Sequence, residues 1–146
     1  MESIFIEDID ELNRLAPVIS APIRYHIFVC TGKSCSAARS PQVKETFERE
    51  LKSLGILFGN EKKGKNPRGS VVLTECTSVG FCAIGVAVLI YPDGVWYAQV
   101  RPEDVQEIIQ QHIIGGNVVE RLALLKLPVA LASDRVELGP AGDWEA

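Results

Sequence analysis

The residues of this sequence best suited to chemistry are four cysteines arranged as two pairs. Four residues separate Cys30 from Cys35, and five separate Cys76 from Cys82. Four thiolates that converge on one point can hold a zinc ion or an iron–sulfur cluster. These spacings are wide for a zinc site, in which two residues commonly separate the cysteines of a pair. The C-x-x-C pair of a dithiol oxidoreductase is absent from the sequence.

The length and composition of the chain indicate a single globular domain, and its expected location argues against disulfides between these cysteines. The chain has 146 residues, 47% of them apolar and 23% charged, which excludes disordered and low-complexity classes. The N-terminus lacks a secretory signal and no run of residues is apolar enough for a membrane span, so we expect a cytoplasmic protein without membrane insertion. In a reducing cytosol, cysteines more often bind metal or perform redox chemistry than form disulfides. The net charge of −4 argues against nucleic acid as a partner.

Each cysteine pair follows a predicted strand. Residues 25–29 are aromatic and β-branched and lead into Cys30, and the apolar run 71–74 precedes Cys76. Between the two strands, Ser40 is predicted to cap a helix that Gly55 ends. The helix has an apolar face formed by Val43, Phe47, Leu51 and Leu54.

The second half of the chain adds a hairpin and another helix. Strands are predicted at 86–91 and 95–100, joined by the turn Pro92-Asp93-Gly94. A helix beginning at Pro102 and ending at Gly115-Gly116 carries an apolar stripe of Val105, Ile108, Ile109, His112 and Ile113. The element order predicts an α/β fold, a mixed sheet of about four strands with two main helices, in the pattern of a thioredoxin-like domain. Residues 1–24 form an N-terminal extension, 25–125 the domain and 126–146 a tail that could add an edge strand.

A parallel pairing of the first two strands would bring both cysteine pairs to one edge of the sheet. Glycines at 32, 80 and 85 leave backbone N–H groups free to approach sulfur, and Lys33 is a cation within the first pair. The apolar residues around Cys82 are interpreted either as an apolar collar of the cysteine site or as ordinary loop packing: Val79, Phe81 and Ile84. His26 and His112 are better read as packing or surface residues than as ligands of a two-Cys, two-His centre.

The block from Tyr25 to about Leu122 resembles the thioredoxin-like [2Fe-2S] ferredoxins and, more distantly, the small thioredoxin-like iron–sulfur subunit of complex I and of NAD-linked hydrogenases. The resemblance is carried by residues 26–30 with Cys35, by 82–85, by the strand–turn–strand at 88–97, and by 102–105 with 111–112 and 115–116. It implies a [2Fe-2S] cluster near the surface held by Cys30, Cys35, Cys76 and Cys82. It also implies one-electron transfer between redox partner proteins, no enzymatic activity, and a homodimer.

The sequence departs from the family pattern at the third ligand. In the family, three residues separate the last two cysteines, and that position here is Ser78, two residues after Cys76. Three interpretations remain open at this stage: Cys76 reaches the cluster through a rearranged loop, Ser78 ligates as an alkoxide, or the site holds no cluster. The alternative functions are a clusterless interaction or regulatory module and a zinc-binding domain. A basic loop of Lys62, Lys63, Lys65 and Arg68 is read as a solvated loop, or else as a surface that attracts an acidic partner.

Overall fold

A computed structural model of the protein describes residues 5–32, 39–79 and 84–127. Within these residues a mixed sheet of five strands has the order β2-β1-β3-β4-β5. The strands are β1 (Tyr25–Cys30), β2 (Val71–Cys76), β3 (Val88–Tyr91), β4 (Val95–Tyr97) and β5 (Ala123–Lys126). β1 and β2 are parallel, as the sequence predicts, and the remaining neighbours are antiparallel.

The α/β prediction is confirmed, with two corrections to the strands. The sheet has a fifth strand, β5, where the sequence predicted about four, and the two hairpin strands are shorter than predicted. The sequence predicted that an additional edge strand could form from residue 126 onward, whereas β5 covers residues 123–126. Only Ala123 of this strand is half-buried and the other three residues are exposed, so β5 lacks the alternation by which a half-buried strand is recognised.

The first main helix, α2, spans Ser40–Ser53 and buries Val43, Phe47 and Leu51 against the sheet. It ends as predicted at Gly55, whose φ of 70° is the left-handed conformation that glycine adopts without steric cost. The predicted capping role of Ser40 is wrong. Arg39 occupies the cap position with a φ of 72°, and Ser40 is already helical and fully buried.

The second main helix, α3, covers residues 102–114 and changes its winding along its length. It begins as a 3₁₀ turn at Pro102–Asp104, continues as α-helix over Val105–Glu107, and is π-helical over Ile108–Ile114. The predicted apolar stripe is confirmed, because all five of its residues are buried: Val105, Ile108, Ile109, His112 and Ile113.

The two faces of the sheet differ in how they are covered. Alternate residues of the strands, such as Ile27 and Ile90, are fully buried and form one core cluster with the side chains of α2 and α3. The opposite face carries a row of residues in register, which we call the open-face row: Thr74, Phe28, Leu89, Trp96 and Leu125. These residues are half-buried, except for Leu125 at 40% exposure.

The segment before β1 packs little. Its helix, α1 (Ile9–Leu15), buries none of its residues, and a 3₁₀ turn at Pro17–Ser20 follows it. Arg68 donates a hydrogen bond of 3.0 Å to the Ser20 carbonyl, which ties the end of this segment to the loop before β2. Among the described residues no helix is long and apolar enough to cross a membrane. The division at residues 24 and 125 stays a prediction.

Candidate metal centre

Cys30 and Cys76 lie side by side at the edge of the sheet. Each is the last residue of its strand, and the two are direct partners in the parallel register of β1 and β2. Neighbouring strands are about 4.8 Å apart, so the two cysteines project from adjacent positions on the same face. Cys30 is fully buried and Cys76 is half-buried.

Backbone hydrogen bonds fix the position of these two cysteines. The amide of Thr31 donates to the Cys76 carbonyl at 2.7 Å, and the amide of Cys30 donates to the Ala87 carbonyl at 3.0 Å. The sulfur of Cys30 lies 3.5 Å from the carbonyl oxygen of Thr77, and that of Cys76 lies 3.7 Å from the carbonyl oxygen of Val29. Both thiols therefore sit against the opposite strand rather than pointing away from each other.

Gly32 allows the chain to pass close to the second cysteine segment. A Cβ atom at this position would lie 2.2 Å from the Thr77 carbonyl oxygen and 3.6 Å from the Cys30 sulfur. Because real Cβ atoms do not approach backbone oxygen so closely, only glycine fits here without a shift of one loop. Gly32 thus lets the two cysteine segments pass close together beside the Cys30 sulfur.

Ser40 supplies a buried polar group that lacks a partner. Its side chain is 0% exposed, and its hydroxyl makes no hydrogen bond to any described residue. Buried hydroxyls in folded proteins almost always have partners, so a hydroxyl that lacks one among the described residues is a candidate donor to a bound group. Ser40 is the first residue of α2.

A tryptophan from the hairpin reaches the segment between Cys76 and Cys82. The Trp96 indole N–H donates a hydrogen bond of 2.6 Å to the Val79 carbonyl oxygen. Val79 also packs against the buried pair of Cys30 and Ala87. This contact could not be predicted from the sequence, because a hydrogen bond across 17 residues leaves no local pattern.

Only part of the predicted ligand set falls within the described residues. Cys35 and Cys82, together with Lys33, Gly80 and Phe81, lie outside them, so the structure brings together Cys30 and Cys76 of the predicted four. Ser78 is exposed and lies two residues beyond the end of β2. In the described ranges, no three His, Cys, Asp or Glu side chains are grouped as a metal site.

The two histidines lie away from the cysteine edge, as predicted. His26 is four residues before Cys30 on β1, stacks on Phe28, and has its Nε2 2.6 Å from the Thr74 hydroxyl. Its partial burial lowers the pKa of His26. His112 is fully buried on α3, between Tyr97 and Asp93.

The basic loop also lies far from the cysteines. It precedes β2, whose six residues rise about 3.3 Å each, so the start of the strand is about 17 Å from Cys76. Lys62, Lys63 and Arg68 are exposed, which agrees with a solvated loop.

Comparisons with known proteins agree on one family. The family model for thioredoxin-like [2Fe-2S] ferredoxins matches residues 19–112. The chain is 36% identical over 109 residues to a 2Fe-2S ferredoxin of Aquifex aeolicus, covering 69% of this chain and 89% of that protein. It is equally similar to a 2Fe-2S ferredoxin of Clostridium pasteurianum, 36% over 109 residues, covering 69% of this chain and 96% of that protein. The crystal structure of the wild-type thioredoxin-like [2Fe-2S] ferredoxin from Aquifex aeolicus superimposes with a TM-score of 0.59 at 32% identity, covering 71% of this chain and 99% of that one.

Proposed function

This chain belongs to the thioredoxin-like [2Fe-2S] ferredoxins, and from that premise we propose that it binds its cluster through Cys30, Cys35, Cys76 and Cys82. Family membership makes it an iron–sulfur electron-transfer protein and confirms the resemblance stated from its sequence. The observation that carries the ligand assignment is the register of β1 and β2, which brings Cys30 and Cys76 together at one edge. Thiolate sulfur is the ligand that iron in such clusters prefers.

The residues at this edge fit a cluster in three respects. Cys30 and Cys76 are adjacent, Gly32 lets the two cysteine segments pass close together, and at the start of α2 the buried Ser40 hydroxyl lacks a partner among the described residues. The cluster, when bound, accepts and releases one electron at a time. The protein contributes thiolates, hydrogen bonds to sulfur and partial exclusion of water, and these set the reduction potential.

Cys76 is favoured over Ser78 as the third ligand. Cys76 is half-buried, is anchored by two hydrogen bonds from Thr31 to its carbonyl, and stands beside Cys30. Ser78 occupies the position that matches the family spacing, but it is exposed and its alkoxide is a poorer ligand for iron than a thiolate. We therefore favour a thiolate ligand two residues before the family position over an alkoxide ligand at that position.

Several finer properties complete the proposal. The protein is a carrier without a chemical substrate of its own, and its partners are redox proteins that dock near the cysteine edge. We place it in the cytoplasm, and assign the function to residues 25–125 with flanking segments at 1–24 and 126–146. We also propose a homodimer, which the apolar open-face row supports because a contiguous apolar face is typical of an interaction surface.

The first experiment is anaerobic purification from a strain competent in cluster assembly. We expect visible absorption bands and about two iron and two sulfide per chain. A colourless, iron-free protein would contradict cluster binding and favour the clusterless module, and zinc in place of iron would favour the zinc domain.

The ligand assignment is tested by replacing Cys76 and Ser78 separately with alanine. Cys76→Ala should lose the visible bands or release iron at least about tenfold faster, whereas Ser78→Ala should keep the wild-type spectrum and iron content. The reverse result would assign the third ligand to Ser78. The two variants are matched controls for each other, because they change the last residue of β2 and the position two residues after it.

A further inference from the structure

Trp96 stands out among the hairpin residues because it contacts a cysteine segment from a different part of the fold. It lies in the open-face row on β4, between Leu89 of β3 and Leu125 of β5. Its ring is half-buried, and its indole N–H points to the Val79 carbonyl oxygen at 2.6 Å. The length of the bond places it among the short N–H···O hydrogen bonds.

The acceptor is at the midpoint of the second cysteine pair. Val79 is three residues after Cys76 and three before Cys82, and its side chain packs on Cys30 and Ala87. The indole bond and the packing of Val79 therefore hold the centre of the segment from two directions. Fixing Val79 in this way keeps its side chain over the buried Cys30.

β4 is well suited to act as the fixed partner in this contact. Val95 and Tyr97, on either side of Trp96, are at most 2% exposed and belong to the core cluster. The Tyr97 oxygen is also fixed by the His112 ring and the Val119 amide. The backbone that carries the indole is therefore held in the core, and the hydrogen bond restrains the loop that contains Val79.

We propose that Trp96 is a positioning residue of the cluster site, whose indole N–H holds Val79 packed over Cys30 and so limits the access of water to the cysteine edge. The inference rests on the proposed function, because it concerns the same cysteines. It assigns to the hairpin a role in the metal centre that the family resemblance does not supply. Without this bond the segment moves further from its mean position and water reaches the cluster more easily. Solvent exposure is one of the factors that set the reduction potential, and water stabilises the more negative reduced state.

The test compares Trp96→Phe with the wild type, both loaded with cluster under anaerobic conditions. We expect release of iron to a chelator to be at least about fivefold faster, the visible circular dichroism of the cluster to change, and the reduction potential to become more positive. The control is Tyr91→Phe, which removes the hydroxyl of an exposed aromatic residue paired with His26, away from the cysteine edge, and should leave all three measurements at the wild-type values.

Two further measurements separate the loss of the N–H group from general damage. Benzothienyl-alanine at position 96 keeps a bicyclic ring of similar size and removes only the N–H donor. It should show the same faster iron release, changed circular dichroism and more positive potential, and it tests the hydrogen bond even if Trp96→Phe folds poorly. In the cluster-free protein, amide hydrogen exchange over residues 76–85 should be faster in both variants while the urea midpoint is retained. If both variants match the wild type in iron release, circular dichroism and potential, Trp96 is not a positioning residue. A wild-type protein that binds no cluster would contradict the proposed function instead.

Discussion

Tyr97 joins three separate parts of the chain through one buried phenol oxygen. Its hydroxyl lies 2.7 Å from Nδ1 of His112, and it accepts a hydrogen bond of 2.9 Å from the Val119 amide. On the other side of the ring, Nε2 of His112 lies 2.7 Å from an Asp93 carboxylate oxygen. A carboxylate can only accept, so Nε2 carries a proton, and in a neutral imidazole Nδ1 then accepts from the phenol O–H. The network connects β4 and α3 with the hairpin turn and the loop before β5.

Replacing Tyr97 with phenylalanine should therefore lower the free energy of unfolding. The variant leaves the buried Val119 amide and Nδ1 of His112 without the Tyr97 hydroxyl as partner, which costs about 1–3 kcal/mol for such groups. Urea unfolding of the cluster-free protein measures the change. Tyr91→Phe is the matched control, because Tyr91 is 61% exposed, and it should stay within about 0.5 kcal/mol of the wild type.

The same residue gives the protein a specific sensitivity to alkaline pH. Burial raises the pKa of Tyr97 to about 12, and the Asp93 carboxylate adds to the effect, while the Val119 amide opposes it. The unfolded chain ionises this tyrosine near pH 10, so between pH 10 and 12 the unfolded state binds fewer protons and stability falls as pH rises. In Tyr97→Phe this part of the alkaline loss should disappear. An unchanged pH profile would contradict the burial argument.

At the scale of elements, the cysteine edge depends on how tightly the ends of β1 and β2 are joined. Thr31 binds the Cys76 carbonyl, and Gly32 passes within van der Waals range of Thr77. The two strands therefore continue as one unit beyond their last residues. This unit positions Cys30 and Cys76 relative to each other.

Gly32→Ala should damage the site more than the fold. The added Cβ would meet the Thr77 carbonyl oxygen at 2.2 Å, so one of the two segments must move, and we expect iron content to fall to less than half of the wild-type value. Iron analysis and visible absorption after parallel purification provide the measurement.

Gly55→Ala is the control for general destabilisation of this kind. Its Cβ would meet nothing within 4 Å, but the φ of 70° makes the substitution costly, by about 1 kcal/mol. It should lower the urea midpoint and keep the iron content. Equal loss of iron in both variants would show that stability, rather than loop contact, controls cluster binding.

At the scale of the whole molecule, the uneven covering of the sheet is the main feature. Both main helices contribute to the core on one face, whereas the open-face row leaves aromatic and aliphatic groups half-buried on the other. The basic loop lies near the start of β2, opposite the cysteines, so it is poorly placed to guide a redox partner to the cluster. The apolar groups of the open-face row are the surface on which we base the proposed homodimer.

The homodimer is tested by Leu125→Glu. A carboxylate introduced in this row should raise the dimer dissociation constant by at least ~30-fold, because a charge desolvated in an apolar interface costs about 2 kcal/mol or more. Light scattering after size-exclusion chromatography and sedimentation velocity would measure it. Ile114→Glu is the control, since Ile114 is 54% exposed and lies on α3, on the helix-covered side of the sheet.

A monomeric wild type would contradict the homodimer itself. A wild-type dimer that Leu125→Glu leaves intact would place the interface elsewhere on the molecule.

The sequence by itself determined the elements and the chemistry of this protein. The apolar spacing of Val43, Phe47 and Leu51 predicted the helix that buries them, and the strands leading into Cys30 and Cys76 followed from residue type. Such patterns are readable because they repeat over neighbouring residues. The cysteines and their surroundings were also enough to identify the family, which the comparisons confirm.

The tertiary structure decided how distant residues meet. The direct pairing of Cys30 with Cys76, the Trp96 bond to Val79 and the burial of the Ser40 hydroxyl each join or enclose residues that no local pattern links. Strand register and side-chain hydrogen bonds depend on packing of the whole sheet, so spacing along the chain does not fix them. For the same reason, the loop spacing alone left Cys76 and Ser78 as alternatives, while the fold brings Cys76 to the side of Cys30.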